Sequence, residues 1–186
     1  MTQLAEVIAA IDAANAADPD VSEGAPAVLL YGQRMSEELA RLFPDASDIL
    51  KIAARGQHIE RWTSPRSGYP EGREGYLTWR RDLGAFHARR VGEIMEKAGY
   101  DAESIAEVGR MLRKEGIKRD PEVQALEDVI CFVFLRWYFA PFADGRPQEE
   151  LERIVAKTAR KMSAEARAMA LAEFALPEPF AAAFRA

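Results

Sequence analysis

Residues Ala54–Met95 read ARGQHIERWTSPRSGYPEGREGYLTWRRDLGAFHARRVGEIM, and the rest of the chain is organised around this stretch. It holds both histidines of the protein, His58 and His87. From Ala54 to Arg90 it carries eight arginines against four acids, although the whole chain has a net charge of −5. Because Arg presents a planar fork of donors that matches carboxylate and phosphate oxygens, this local basic excess indicates an anion site. The alternative is that each arginine is a solvated charge on the surface of a helix or a loop.

Length and composition predict one folded domain, residues 1–186. A chain of 186 residues is long enough for one well-filled core, and no stretch has the composition of a linker. Hydrophobic residues make up 48% and charged residues 30%, which excludes a disordered or fibrous chain. The single cysteine, Cys131, excludes an intrachain disulfide and a Cys-type zinc site. Because it lies in an apolar run, we expect a buried, inert thiol.

The sequence predicts a cytoplasmic protein with no membrane partner. The N-terminal segment has no basic region and contains Glu6 and Asp12, which argues against a signal peptide. The longest apolar run, 129–142, is interrupted by Arg136 and is shorter than the roughly 20 residues that span a bilayer.

Apolar residues at helical spacing, separated by turn residues, predict an all-α fold of about seven or eight helices. The predicted helices are an N-terminal helix at 2–16, helices at about 26–43, 47–62, 76–98, 101–115 and 120–142, and C-terminal helices within 147–186. Asp45 or Ser47, Asp101 and Asp120 are the expected N-caps, and Gly99 the expected left-handed C-cap. The run at 129–142 is apolar on every side and is therefore predicted to be the most buried segment.

The segment 63–75 is predicted to be a loop because it contains two prolines and three glycines. Arg66 and Tyr69 lie in its PRSGYP string, between prolines that restrict the backbone. Such a loop either closes over a ligand, with Arg66 and Tyr69 contacting it, or wraps the surface of the next helix.

Each histidine is predicted to face an apolar helix stripe or to lie at the end of one. His87 lies four residues from Leu83 and from Val91, which places its imidazole on an apolar stripe together with Arg80. His58 is followed one turn later by Arg61 and Trp62, so the end of that helix is predicted to present all three side chains together.

Two acids, Glu127 and Asp128, stand where the helix at 120–142 becomes apolar. A carboxylate there costs several kcal/mol unless it is paired or binds a metal. His58, His87 and Asp128 are therefore candidate ligands of a divalent metal. The alternative is that each histidine hydrogen-bonds a backbone carbonyl and that Asp128 pairs with an arginine.

Three strings in order, AARGQHIERW (53–62), FHARRVGEIMEKAGYDAESIAEVGRMLRKEGI (86–117) and DPEVQALEDVICFV (120–133), resemble the HD superfamily of metal-dependent phosphohydrolases. The resemblance implies an HD-like orthogonal bundle over about 26–142. It also implies a site in which His58, His87 and Asp128 hold Mn²⁺, Fe²⁺ or Mg²⁺.

This sequence departs from the HD pattern at several positions. Ile59 stands in place of the Asp of the His-Asp pair, and Tyr31 falls near the position of the first histidine. Lys114 stands where many members carry another histidine. The departures imply either a weaker metal site, with Glu127 substituting, or a pocket of Arg, Lys and His for an anion.

Along nearly its whole length the chain also resembles an uncharacterised domain-of-unknown-function family. The resemblance is carried by the strings LYGxRM, QHIxRW, PRxxYP, GYLxWR, FHA and LEDVxCxVFL. It implies no established activity.

Three functions are compatible with these residues. The first is a phosphohydrolase for a nucleotide or other phosphoester, in which His58, His87, Asp128 and Glu127 form the catalytic metal site. Its phosphate would be held by Arg61, Arg80 and Lys114. The second is a non-catalytic binder of an anionic small molecule. The third is a helical interaction module.

The binder hypothesis assigns Trp62, Tyr69 and Trp79 to stacking a base or ring. Nucleic acid is not an expected partner, because an acidic chain gains little from counterion release. This argument applies to the whole surface and leaves an RNA end, bound in the Arg-rich cleft, as an alternative partner.

Overall fold

The computed structural model describes residues 2–185 and is all-α, as predicted. Within these residues it contains ten α-helices. They are α1 Gln3–Asn15, α2 Ala27–Leu42, α3 Asp48–Gly56, α4 Gly72–Lys97, α5 Ala102–Leu112, α6 Pro121–Val133, α7 Phe139–Ala143, α8 Gln148–Lys161, α9 Ala164–Glu173 and α10 Phe180–Arg185. A hairpin of two short strands, β1 (Val21–Ser22) and β2 (Ala25–Pro26), precedes α2.

Side-chain caps begin α3, α5 and α6 at the residues that the sequence predicts. Ser47 Oγ accepts a hydrogen bond from Leu50 N at 3.0 Å, and Asp101 accepts one from Ser104 N at 2.7 Å. Asp120 caps α6, whose first turn contains a proline. Gly99, with a φ of +85°, follows the end of α4. The observed caps confirm the predicted positions of four helix termini.

The helix α3 ends earlier than predicted, at Gly56 rather than near Trp62. Glu60 has a φ of +48°, which a continuing helix does not allow. Its backbone N–H donates to Asn15 Oδ1 at 3.0 Å, and its carboxylate pairs with Arg90 at 2.6 Å. The segment after α3 is therefore shaped by partners on α1 and α4, and His58 lies in a turn instead of a helix.

The predicted loop at 63–75 is shorter than expected, because α4 begins at Gly72 instead of Tyr76. Short 3₁₀ turns occupy Arg61–Thr63 and Arg66–Gly68. A Cβ on Gly75 would lie 1.9 Å from the carbonyl oxygen of Pro70. Gly75 therefore serves the close approach of the loop to the first turn of α4, and its helix-breaking character misled the prediction.

The apolar run at 129–142 is not one uniformly buried helix. After α6 the chain forms a wide π-type turn at Phe134–Tyr138 and then the short α7. Val129 and the residues 131–133 are buried, whereas Ala140 and Pro141 are exposed. Because Pro141 has no N–H, the regular helical ladder cannot continue through it, which accounts for the broken geometry. Cys131 is buried, as expected.

The helices form two compact units, of which the first ends at Gly116 and the second begins at Ile117. In the first, α1 to α5 pack around a core that includes Ile11, Met35 and Val91. In the second, α6, α8 and α10 pack around Phe132 and Val155. The single domain with an HD-like core over about 26–142 stays a prediction. None of the helices in residues 2–185 has the length and apolar character to cross a bilayer.

Candidate functional site

A pocket of about 360 Å³ lies in the first unit, between α4, the turn after α3 and the end of α5. The helix α4 contributes Arg80 and His87, which lie seven residues apart and therefore on the same side of the helix. The turn after α3 contributes His58 and Arg61. Lys114 enters from the residues just after α5, where it has a φ of +61°. Three separate elements thus bring together five of the predicted site residues.

The two histidines are close neighbours in this pocket. Their ring centroids are 6.0 Å apart. Tyr31 of α2 stacks on His58, with ring centroids 4.1 Å apart and planes 16° from parallel. Arg61 Nη1 lies 3.2 Å from His58 Nε2. Because a guanidinium has no acceptor, His58 Nε2 must be the acceptor in this contact, and the proton of its ring must be on Nδ1.

Both imidazoles are held neutral. Burial, and then the positive charges of Arg61, Arg80 and Lys114, lower the pKa of His87 to about 3. Burial also places the pKa of His58 well below its usual value, with further lowering by Arg61 and His87. At neutral pH the two rings therefore add no charge, and each offers one donor and one acceptor.

The eight arginines of the basic stretch divide into three groups. Four are paired with carboxylates: Arg55 with Asp12, Arg81 with Asp82, Arg89 with Glu93, and Arg90 with Glu60 and Glu93. Arg66 donates to the carbonyls of Tyr69 and Gly72, and Arg73 is exposed to solvent. The remaining two, Arg61 and Arg80, line the pocket, as does the paired Arg81.

Arg61 and Arg80 have no carboxylate partner among residues 2–185. Arg61 lies over the ring of Trp79, with its Cζ atom 4.9 Å from the ring centroid. Burial, and then the positive charge of Arg80, hold the pKa of Arg61 below its usual value. Two guanidinium groups that repel each other in a partly buried pocket make it favourable for an anion to enter.

Within the described part of the chain, two buried polar atoms of residues that line the pocket have no hydrogen-bond partner: Gln57 Oε1 and His87 Nε2. Gln57 is 5% and His87 is 4% exposed, so water does not readily reach these two atoms to form hydrogen bonds with them. An unsatisfied buried polar group costs about 1–3 kcal/mol. Gln57 was not among the predicted site residues. Its position next to His58 in the QHI string was the available signal.

The predicted stacking residues lie elsewhere, since neither Trp62, Tyr69 nor Trp79 lines the pocket. Trp79 is 7% exposed and donates through Nε1 to Ser64 O at 2.9 Å. The Tyr69 hydroxyl donates to Asp82 at 3.3 Å. Because α3 ends at Gly56, Trp62 lies in a 3₁₀ turn and not on the helix face that the prediction assumed. Arg66 is likewise bound within its own loop and does not line the pocket.

The two predicted acids belong to the second unit, where each has protein partners. Asp128 is 3% exposed and accepts hydrogen bonds from Ser163 N at 2.8 Å, Ser163 Oγ at 2.7 Å and Gln124 Nε2 at 2.9 Å. It thereby holds the beginning of α9. Glu127 is 1% exposed, and its Oε1 lies 3.4 Å from Lys161 Nζ.

The donor atoms of the pocket do not fit a metal ion. Among the described residues, no group of three or more His, Cys, Asp or Glu side chains is arranged to hold one. His58 and His87 have three cationic side chains around them, which lowers the affinity for a divalent cation. The metal role of His58, His87 and Asp128 stays a prediction.

Comparison with known proteins gives one match. The model of a family described as Domain of unknown function (DUF4202) matches residues 5–183. No curated protein and no solved structure matches the chain.

Proposed function

The chain belongs to the family Domain of unknown function (DUF4202), and from the geometry of its site we propose that it binds a small anionic molecule in the pocket of the first unit. Phosphate esters are the expected class, with their oxygens between Arg61 and Arg80 and close to Lys114. The observation that carries the proposal is the pair of arginines without a carboxylate partner beside two neutral histidines.

Electrostatics favours anion binding over catalysis by these histidines. A general base works best when its pKa lies near the working pH, whereas the pKa of His87 is about 3. The acceptor nitrogen of His58 is engaged by Arg61. The pocket therefore has the groups to bind and neutralise a phosphate, while neither histidine is set to take up a proton at pH 7.

The HD-like phosphohydrolase remains the alternative prediction. It requires a metal held by His58, His87 and Asp128, with Glu127 as a possible substitute. Elemental analysis of protein purified without a His tag separates the two functions. Stoichiometric manganese, iron or magnesium would favour the hydrolase.

The proposal is tested by thermal unfolding with and without millimolar phosphate. A ligand that binds only the folded chain raises the melting temperature by mass action. We expect the wild type to show the shift and Arg80→Ala to lose it, because losing a charge-assisted partner costs about 2 kcal/mol, roughly thirtyfold in affinity. Without phosphate, Arg80→Ala should be as stable as the wild type or more so, since repulsion with Arg61 is relieved.

Arg73→Ala is the matched control for this test. Arg73 lies on the same helix but is exposed and does not line the pocket. It should show the wild-type shift with phosphate. Equal phosphate shifts in the wild type and Arg80→Ala would remove Arg80 from the site and overturn the proposal.

A further inference from the structure

The pocket lacks the surface on which a nucleotide base would stack. Among the described residues that line it, the only aromatic rings are the two imidazoles. One face of His58 is already covered by Tyr31. Trp79 is buried beneath Arg61. Stacking on aromatic side chains is the usual source of sequence-tolerant affinity for bases, so a base would gain little here.

The size of the pocket limits the ligand. Its volume of about 360 Å³ lies near the lower end of the range of ligand pockets, which runs from about 300 to 1,000 Å³. A compact monophosphate fits this volume better than a dinucleotide or a nucleoside triphosphate.

The polar groups of the pocket are of two kinds. Arg61 and Arg80 are donors only and suit the oxygens of a phosphate. Within residues 2–185, Gln57 Oε1 and His87 Nε2 have no partner. Gln57 Oε1 is an acceptor, and His87 Nε2 is an acceptor in the tautomer whose proton is on Nδ1. The oxygens of a phosphate ester carry negative charge and cannot satisfy two acceptors. A ligand with hydroxyl groups close to its phosphate can satisfy both kinds of group.

We infer that the pocket takes a phosphorylated polyol or sugar, whose phosphate lies between Arg61 and Arg80 and whose hydroxyls donate to Gln57 and His87. The inference rests on the proposed anion site and specifies its ligand class. Gln57 Oε1 and His87 Nε2 are closed to bulk water in this structure, so a hydroxyl reaches them only after the side chain rotates. Relief of the two unsatisfied atoms favours the rotated, ligand-bound arrangement.

The test is calorimetric titration of the full chain with a series of monophosphates. Ethyl phosphate has the ester group without hydroxyls, glycerol 3-phosphate and glucose 6-phosphate add hydroxyls, and adenosine 5′-monophosphate adds a base. We expect at least one of the two polyol esters to bind about tenfold more tightly than ethyl phosphate and than adenosine 5′-monophosphate.

Gln57→Leu provides the matched variant, because leucine is of similar size and removes the unpaired acceptor. It should reduce the ratio of the affinity for the polyol esters to the affinity for ethyl phosphate. The wild-type series decides the question even if this variant fails to fold.

The outcomes separate the inference from the proposed function. Equal affinities for ethyl phosphate and both polyol esters would overturn the inference and leave the anion site intact. Tighter binding of adenosine 5′-monophosphate than of any polyol ester would also overturn it. If none of the four esters binds, the inference and the proposed function fail together.

Discussion

At the scale of single residues, the candidate site differs from the rest of the basic stretch in the partners of its arginines. Six of the eight arginines in the basic stretch pair with a carboxylate, donate to backbone carbonyls or are exposed to solvent. Arg61 and Arg80 lie in a pocket with two neutral histidines and have no carboxylate partner within residues 2–185. The interpretation of an arginine as a solvated surface charge therefore fits the exposed Arg73, Arg81 and Arg89 and does not fit these two.

The low pKa of His87 predicts a pH-dependent stability. An unfolded histidine takes up a proton below pH 6.5, whereas folded His87 does so only near pH 3. Its contribution to stability is therefore complete above pH 6.5 and is lost as the pH falls toward 3. Between pH 7 and pH 5 this histidine should lower the free energy of unfolding by about 2 kcal/mol.

The measurement is denaturant unfolding of the wild type and His87→Leu at pH 7 and pH 5. Leucine cannot titrate, so the loss of stability between the two pH values should be about 2 kcal/mol smaller in the variant. At pH 7, His87→Leu should be no less stable than the wild type, because it removes the unpaired Nε2 atom. Identical pH dependence in the two proteins would show that His87 is not held neutral by the fold.

At the scale of elements, the approach of α3 to α4 sets the distance between the histidines. His58 follows α3 by two residues, and His87 lies on α4 one turn before Val91. A Cβ on Gly56, the last residue of α3, would lie 2.5 Å from Val91 Cγ2. Val91 is fully buried and β-branched, so it cannot move aside freely.

Gly56→Ala should therefore push the two elements apart. We expect a loss of about 1–3 kcal/mol in the free energy of unfolding, together with weaker phosphate binding. Gly68→Ala is the control, since a Cβ there meets nothing within 4 Å. Chemical denaturation and phosphate titration of both variants check this. Unchanged phosphate affinity in a folded Gly56→Ala protein would mean that the spacing of α3 and α4 does not govern the site.

At the scale of the whole molecule, the candidate site residues are divided between two compact units. Asp128 and Glu127 lie in the unit that begins at Ile117, while the arginines, histidines and Lys114 lie in the other. The contacts of Asp128 with Ser163 and Gln124 give this buried carboxylate a structural role within its own unit.

Asp128→Ala distinguishes this structural role from the predicted metal role. The substitution leaves the beginning of α9 without its acceptor and should cost about 3 kcal/mol of stability, with phosphate affinity unchanged. Asp144→Ala, which alters an exposed acid of the same unit, should change neither quantity. If folded Asp128→Ala loses its affinity for phosphate or for Mn²⁺, then Asp128 serves the ligand, as the HD resemblance implies.

Local interactions made much of the fold predictable from the sequence. A helix begins at a cap whose partner lies two or three residues away, as at Ser47, Asp101 and Asp120. The inward orientation of His87 follows from apolar neighbours four residues on either side. The all-α class and the starts of α3, α5 and α6 were therefore determined by residues close together in the chain.

Only the tertiary structure decided which charged groups are paired. The end of α3 depends on Asn15 and Arg90, which contact Glu60 from 45 and 30 residues away. Arg55 finds Asp12, and Asp128 finds Ser163, across similar separations. The composition of the basic stretch is the same whichever arginines find a carboxylate. Partner choice between distant segments is set by the packing of helices, and that packing leaves Arg61 and Arg80 facing a pocket.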